Sequence, residues 1–194
     1  MPPITCEACR QPAADHDIVN YGSMDAGYQR LCGRCYNEAA AGRLGLQGFE
    51  HVAFEPIRML DGRGAEHEFR FRNWLCGTGL AIDAFELRDG GLAGYRFQVI
   101  GEPHDDPLEL LGKLIGKMRR ALALTHLEDT DHGPQVNDGL VLRGSVDSDP
   151  DADHRVPMVV IDGREISWEQ FGRMVATFEG WQFRLEFRDR SEEV

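Results

Sequence analysis

Two short stretches share one form: C-E-A-C at 6–9 and C-G-R-C at 32–35. Together Cys6, Cys9, Cys32 and Cys35 read C-x2-C-x22-C-x2-C, close to the spacing of structural zinc sites. A two-residue gap lets one tight turn aim two sulfurs at a single cation at ~2.3 Å, and two such turns complete a tetrahedron. A disulfide framework fits less well, because the chain holds 5 cysteines, an odd number. A redox C-x-x-C is the other alternative, and two such pairs in one short segment argue against it. The expected cofactor is therefore one structural Zn2+ held by these four thiolates. A closed shell of four sulfurs leaves no coordination position for a catalytic water.

The remaining chemistry-bearing residues form weaker patterns. Cys76, in N-W-L-C-G-T-G, is the unassigned thiol, with His51, His67, His104 and His126 as candidate bases. A reactive cysteine needs a lowered pKa and a partner within hydrogen-bond reach. A lone cysteine in an aromatic strand reads more simply as a small core residue. Lys113, Lys117 and Arg120 make a basic stripe, a candidate anion-binding or partner face, or simply a solvated helix face. His126 and His132 with nearby acids hint at a second metal site in 126–132. Alternating acids at 147, 149, 151 and 153 invite a calcium reading. An EF-hand would want glycine where Ala152 stands and glutamate where Met158 stands, so a solvated loop is expected instead. No phosphate-binding G-x-x-x-x-G-K-[ST] motif occurs, and G-G-L-A-G at 90–94 lies between apparent strands.

These residues need a frame to hold them. The 194-residue chain is 42% hydrophobic and 28% charged, an ordinary globular composition. Its formal charge of −12, from 33 acids and 21 bases, opposes binding to a polyanion unless a local basic patch intervenes. Apolar runs are short, so no membrane span is expected. The start M-P-P-I-T-C-E-A-C has neither the basic nor the apolar region of a secretory signal, so a cytoplasmic, bacterial-type protein is expected.

Residues 1–47 read as a four-cysteine zinc module, with a strand over 28–31 leading into Cys32 and a helix through N-E-A-A-A-G ended by Gly42 or Gly45. Residues 48–194 read as an α+β body, an antiparallel sheet covered by two main helices. Runs at 52–60, 66–75, 79–89 and 95–101 predict a four-stranded antiparallel meander over 52–101, with a bulge near Asp83. Asp105 or Asp106 caps a helix over 106–127 with Pro107 at its first position. Its core stripe reads Leu108, Leu111, Ile115, Met118 and Leu122. An acidic loop region spans 128–155, with a strand near 140–146. A β-α-β unit follows at 156–188. V-P-M-V-V-I is a buried strand, Asp162-Gly163 a turn, and Ser167 with Gln170 a capping box. Trp168, Phe171, Val175 and Phe178 are expected to face the core, and Gly180 to stop the helix. In W-Q-F-R-L-E-F, Trp181, Phe183, Leu185 and Phe187 alternate with polar residues as a last strand that could lie in the main sheet.

A cysteine pair at a strand-to-helix junction, L-C-G-R-C, resembles the treble-clef fingers, such as the GATA type, over roughly 4–45. That resemblance implies a metal site rather than a function. GATA-type fingers carry a basic surface, whereas residues 1–45 hold four arginines, no lysine and five acids. The whole chain resembles an uncharacterised bacterial family with an N-terminal four-cysteine zinc ribbon. The residues that carry this likeness are A-F-E-L-R-D-G-G-L-A-G-Y-R-F-Q-V-I-G (84–101), K-L-I-G-K-M-R-R-A-L-A-L-T-H-L-E (113–128) and the stretch 160–193. It implies only a domain of unknown function. The expected role is a zinc-stabilised adaptor or regulator that contacts a protein partner or another copy of itself. The alternatives are a nucleic-acid-binding regulator using the finger and the Lys113/Lys117/Arg120 face, and a cysteine-dependent enzyme using Cys76.

Overall fold

A computed structural model describes residues 3–25, 27–77, 79–88, 91–149 and 155–192. The chain is α+β, with three helices and several antiparallel sheets among the described residues. It opens with a minimal strand pair, β1 (Ile4–Thr5) and β2 (Pro12–Ala13), followed by a 3-10 turn at Asp15–Asp17. The hairpin β3 (Ile18–Ser23) and β4 (Gly27–Cys32) leads directly into helix α1 (Gly33–Leu44). Gly45 closes α1 in the left-handed conformation, φ 70, where glycine carries no steric penalty.

The meander follows: β5 (Ile57–Leu60), β6 (Glu66–Cys76), β7 (Gly79–Arg88) and β8 (Gly91–Gly101), each strand hydrogen-bonded to the next. The expected bulge is present, between Phe85 and Glu86, just beyond Asp83. One sheet face carries Phe69, Leu75, Leu80, Ile82, Ala84 and Phe97, and these bury against α2 (Pro107–Leu122) and Ala40 and Ala41 of α1. Asp106 caps α2 through Leu108 N at 2.8 Å, with Pro107 at the first position. The helix stops at Leu122, short of 127, and its stripe is Leu110, Leu114, Met118 and Leu122. Leu108 lies 64% exposed. Leucines at 108, 110, 111 and 114 permit two registers of a 3–4 repeat, and the angle at which α2 crosses the sheet selects between them.

The region 128–155, expected as loop, contains a hairpin of β9 (Leu127–Thr130) and β10 (Gly133–Val136), then β11 (Gly144–Ser148). β12 (Pro157–Ile161) pairs with β11 on one side and β13 (Arg164–Ser167) on the other. Asp162 and Gly163 make the β12–β13 turn with φ of 51 and 67, the double positive φ that a two-residue hairpin requires. Helix α3 (Trp168–Ala176) follows, with Ser167 Oγ accepting from Gln170 N at 3.2 Å.

The β-α-β unit expected at 156–188 is thus a hairpin followed by a helix, and α3 covers this second, three-stranded sheet rather than the meander. Met174 takes the core position beside Phe171, while Trp168 and Val175 face outward. W-Q-F-R-L-E-F forms no strand pair among the described residues. No helix among the described residues is long and apolar enough to cross a membrane.

Candidate metal centre

Cys6 and Cys9 sit on the turn between β1 and β2. Cys6 N donates to Gln11 O at 2.9 Å and Arg10 N to Cys6 O at 3.0 Å, which closes the knuckle. Arg10 adopts φ 61 to complete it. Cys32 is the N-cap of α1, and Cys35 lies in its first turn. The β3–β4 hairpin brings this helix start onto the knuckle, where Cys32 N donates to Cys6 Sγ at 3.3 Å and Glu7 N to Arg30 O at 2.9 Å.

The four Sγ atoms lie within 4.8 Å of one another, and they are the one metal-competent cluster found among the described residues. Cys9 Sγ and Cys32 Sγ are 3.9 Å apart, far beyond a disulfide bond. A tetrahedral ion with ~2.3 Å sulfur bonds would separate its ligands by ~3.8 Å, so the donor set fits. Cys6 is fully buried, and Cys35 nearly so. Burial raises the Cys6 thiol, but hydrogen bonds from the backbone of Cys32, Cys9 and Ala8 outweigh it and bring it down to about 6. Burial, then the neighbouring thiols, push Cys35 up to about 12, and burial also raises Cys32. The first thiolate is thus easy to form, whereas further ones crowd negative charge into a buried space that a divalent cation would neutralise.

The other candidates disperse. Cys76 ends β6 with its thiol raised by burial and by Asp83, and no histidine contacts it among the described bonds. His51 Nδ1 pairs with Asn37 Nδ2 at 2.9 Å. His67 bridges Glu86 (2.8 Å) and Asp61 (3.3 Å). His104 is exposed. His126 Nδ1 lies 2.9 Å from Val141 O, and among the described residues no cluster of three ligands includes His126 or His132. Lys113 is exposed. Lys117 Nζ donates to Gln98 O at 3.2 Å and to Arg190 O and Glu192 O, both at 2.6 Å. The basic stripe therefore contains an anchor for the chain's last described residues, and Arg120 too has an interaction partner. Asp147 pairs with Arg96, while Asp151, Ala152 and Asp153 fall outside the described residues.

Three polar centres were not singled out by sequence pattern. Asn37, fully buried, accepts from Leu75 N at 2.8 Å and donates to Asn73 O at 3.0 Å. Tyr36 Oη donates to Leu75 O at 2.7 Å. β5 pairs β6 only over 66–69, so α1 takes over the β6 edge that β5 leaves open. On the opposite sheet face, buried Asp83 accepts from Arg72 (2.9 Å), Trp74 Nε1 (2.9 Å) and Gln98 (2.7 Å). Arg72 also donates to His16 O at 3.2 Å, and the His16 ring meets Phe85 edge-on. The cysteine module thus grips the β6 edge from both faces. Third, Asp162 accepts from His126 N and Leu127 N, both at 2.8 Å, and from Arg63 at 3.2 Å. An asparagine after a helix-start cysteine was the only available signal for the first centre. The others join residues far apart in sequence.

Three family models match successive parts of the chain, each described as a domain of unknown function: DUF7685 over residues 5–47, DUF7686 over 50–123 and DUF7713 over 126–192. No curated protein and no solved structure matches it. Along nearly all its length, then, the chain is similar to domains of unknown function set in series, the first of which carries the cysteine cluster.

Proposed function

We propose that this chain is a zinc-stabilised adaptor or regulatory protein that acts through protein–protein contacts. A knuckle, a β-hairpin and a helix supply the four cysteines in the order of a treble-clef finger, which supports Zn2+ as the ion. In that reading Cys6, Cys9, Cys32 and Cys35 hold it, and it supplies cross-linking energy rather than chemistry. The observation that carries the contact function is the segment 181–187. Four large apolar residues alternate along it, all exposed and joined to no sheet among the described residues. Water-exposed apolar rows of this kind mark interaction surfaces.

Photo-crosslinking tests the reading. A benzoyl-phenylalanine at position 183 of the full chain, irradiated in its host cells, is expected to give protein adducts. The same probe at exposed Glu109 gives few. Equal yields at the two positions would remove the argument for a contact surface.

A further inference from the structure

We infer that residues 182–188 form an antiparallel strand pair with the same residues of a second copy, in the register that sets Leu185 opposite Leu185. The inference rests on reading 181–187 as a protein-contact strand and names its occupant.

Trp181, Phe183, Leu185 and Phe187 are 65%, 88%, 66% and 76% exposed. Isolated exposed apolar residues are ordinary, but four alternating along one segment that joins no sheet among the described residues are not. A segment whose sequence alternates apolar and polar residues and that joins no sheet is suited to strand addition. Both ends of this segment are held. Trp181 N donates to Phe178 O at 2.9 Å, with Gly180 at φ 87, and Lys117 grips the carbonyls of Arg190 and Glu192 at 2.6 Å. Fixing the ends lowers the ordering cost of docking.

Side-chain pattern selects the partner. Facing residues of an antiparallel pair lie on the same sheet face, so only registers that match apolar to apolar qualify. Centred on Leu185, two copies place Phe183 opposite Phe187 twice and Arg184 opposite Glu186 twice, with Gln182 opposite Arg188, while Trp181 meets Asp189 beyond the paired stretch. Centred on Arg184, the pair matches all four apolar residues but sets Arg184 against Arg184, and centred on Glu186 it sets Glu186 against Glu186 and Arg184 against Arg188, like charges face to face, which is destabilising. Centred on Phe183, most of the acidic and aromatic C-terminal half is left unmatched. Within one copy Arg184 already pairs with Glu186, and Arg188 lies 3.6 Å from it. All three therefore share the polar face that the cross-strand pairs would use. The symmetric register yields an isologous, closed dimer. Its short ribbon is smaller than a standard interface, so the dimer is expected to be concentration-dependent.

Sedimentation and register-specific crosslinking of the purified zinc-loaded chain test this. The wild-type chain is expected to shift from monomer to dimer with rising concentration. Arg184→Glu should weaken the dimer about tenfold by facing Glu186 with a second acid, and adding Glu186→Arg should restore it. Under mild oxidation Leu185→Cys should give a covalent dimer, whereas Phe183→Cys, far from its own copy in this register, should not. All of these side chains are exposed, so the variants keep the fold. A monomer at millimolar concentration, equal crosslinking of the two cysteine variants, or no rescue by the double exchange would overturn the inference. Adducts to other proteins from position 183 would then still support an adaptor, so the two readings fail separately.

Discussion

Single residues decide how the cysteine module meets the rest of the chain. The cluster itself was legible, because C-x2-C spacing states both ligand type and turn geometry in a few letters. The role of Asn37 was not, since its partners Asn73 and Leu75 lie on a strand 36 and 38 residues away. Replacing Asn37 by leucine keeps volume but strands the Leu75 amide and the Asn73 carbonyl in a dry contact, and should cost about 2–4 kcal/mol in a urea titration. His51 adds a pH dependence. Burial lowers its pKa, and Asn37 donates to its ring nitrogen, which requires the neutral form. Its stabilisation is therefore full above the unfolded value of about 6.5 and is lost as pH falls through the lower folded value. His51→Gln should flatten the acid limb of the urea midpoint against pH. Because both proteins keep the cysteines, their difference separates the imidazole from thiol protonation. Identical acid limbs would rule out this role.

At the scale of elements, periodicity located most segments and failed where two answers shared one pattern. Alternation gave the long strands of the meander because each has one face on the core. It gave the same signal at 181–187, a segment that forms no strand among the described residues and whose apolar side chains stay exposed. A period-two pattern records that a face wants burial and says nothing of what buries it. The hairpin of β12 and β13 shows how elements are joined. Gly163, at φ 67, sits so close to Tyr95 that an added Cβ would come within 2.6 Å of the ring. Beside it, Asp162 ties the turn to Arg63 of the β5–β6 connection and to the backbone of His126 and Leu127. Gly163→Ala therefore meets both a left-handed backbone penalty and an aromatic wall. It should cost about 2 kcal/mol or more, read as a lower urea midpoint. Gly112→Ala, in open space on α2, should leave the midpoint unchanged or raise it. A neutral Gly163→Ala would mean that the hairpin does not rest on the meander.

At the scale of the whole molecule, helix α1 is the main link between the cysteine cluster and the central core. The N-terminus of α1 carries Cys32 and Cys35, while Ala40 and Ala41 further along it belong to the central core. Tyr36 contacts both the cysteine cluster and that core. A separate finger on a linker would melt alone when its ion is removed. Here the loss should spread into β6, because Asn37 and Tyr36 supply the bonds that the missing length of β5 does not. It should fade before the second sheet, whose core of Leu127, Val159, Ile161, Ile166 and Met174 contains nothing from α1. Hydrogen exchange on the zinc-loaded chain, before and after a strong chelator, would map this gradient. Protection should fall first over 31–44, then at the Leu75 amide, while β12 retains most of its own. Native mass spectrometry should find one zinc per chain beforehand, and metal affinity should drop as acid protonates the thiolates. If Leu75 keeps its protection while 31–44 exchanges freely, the metal stabilises only its own module. Unchanged exchange throughout would mean that the cysteine cluster folds without an ion.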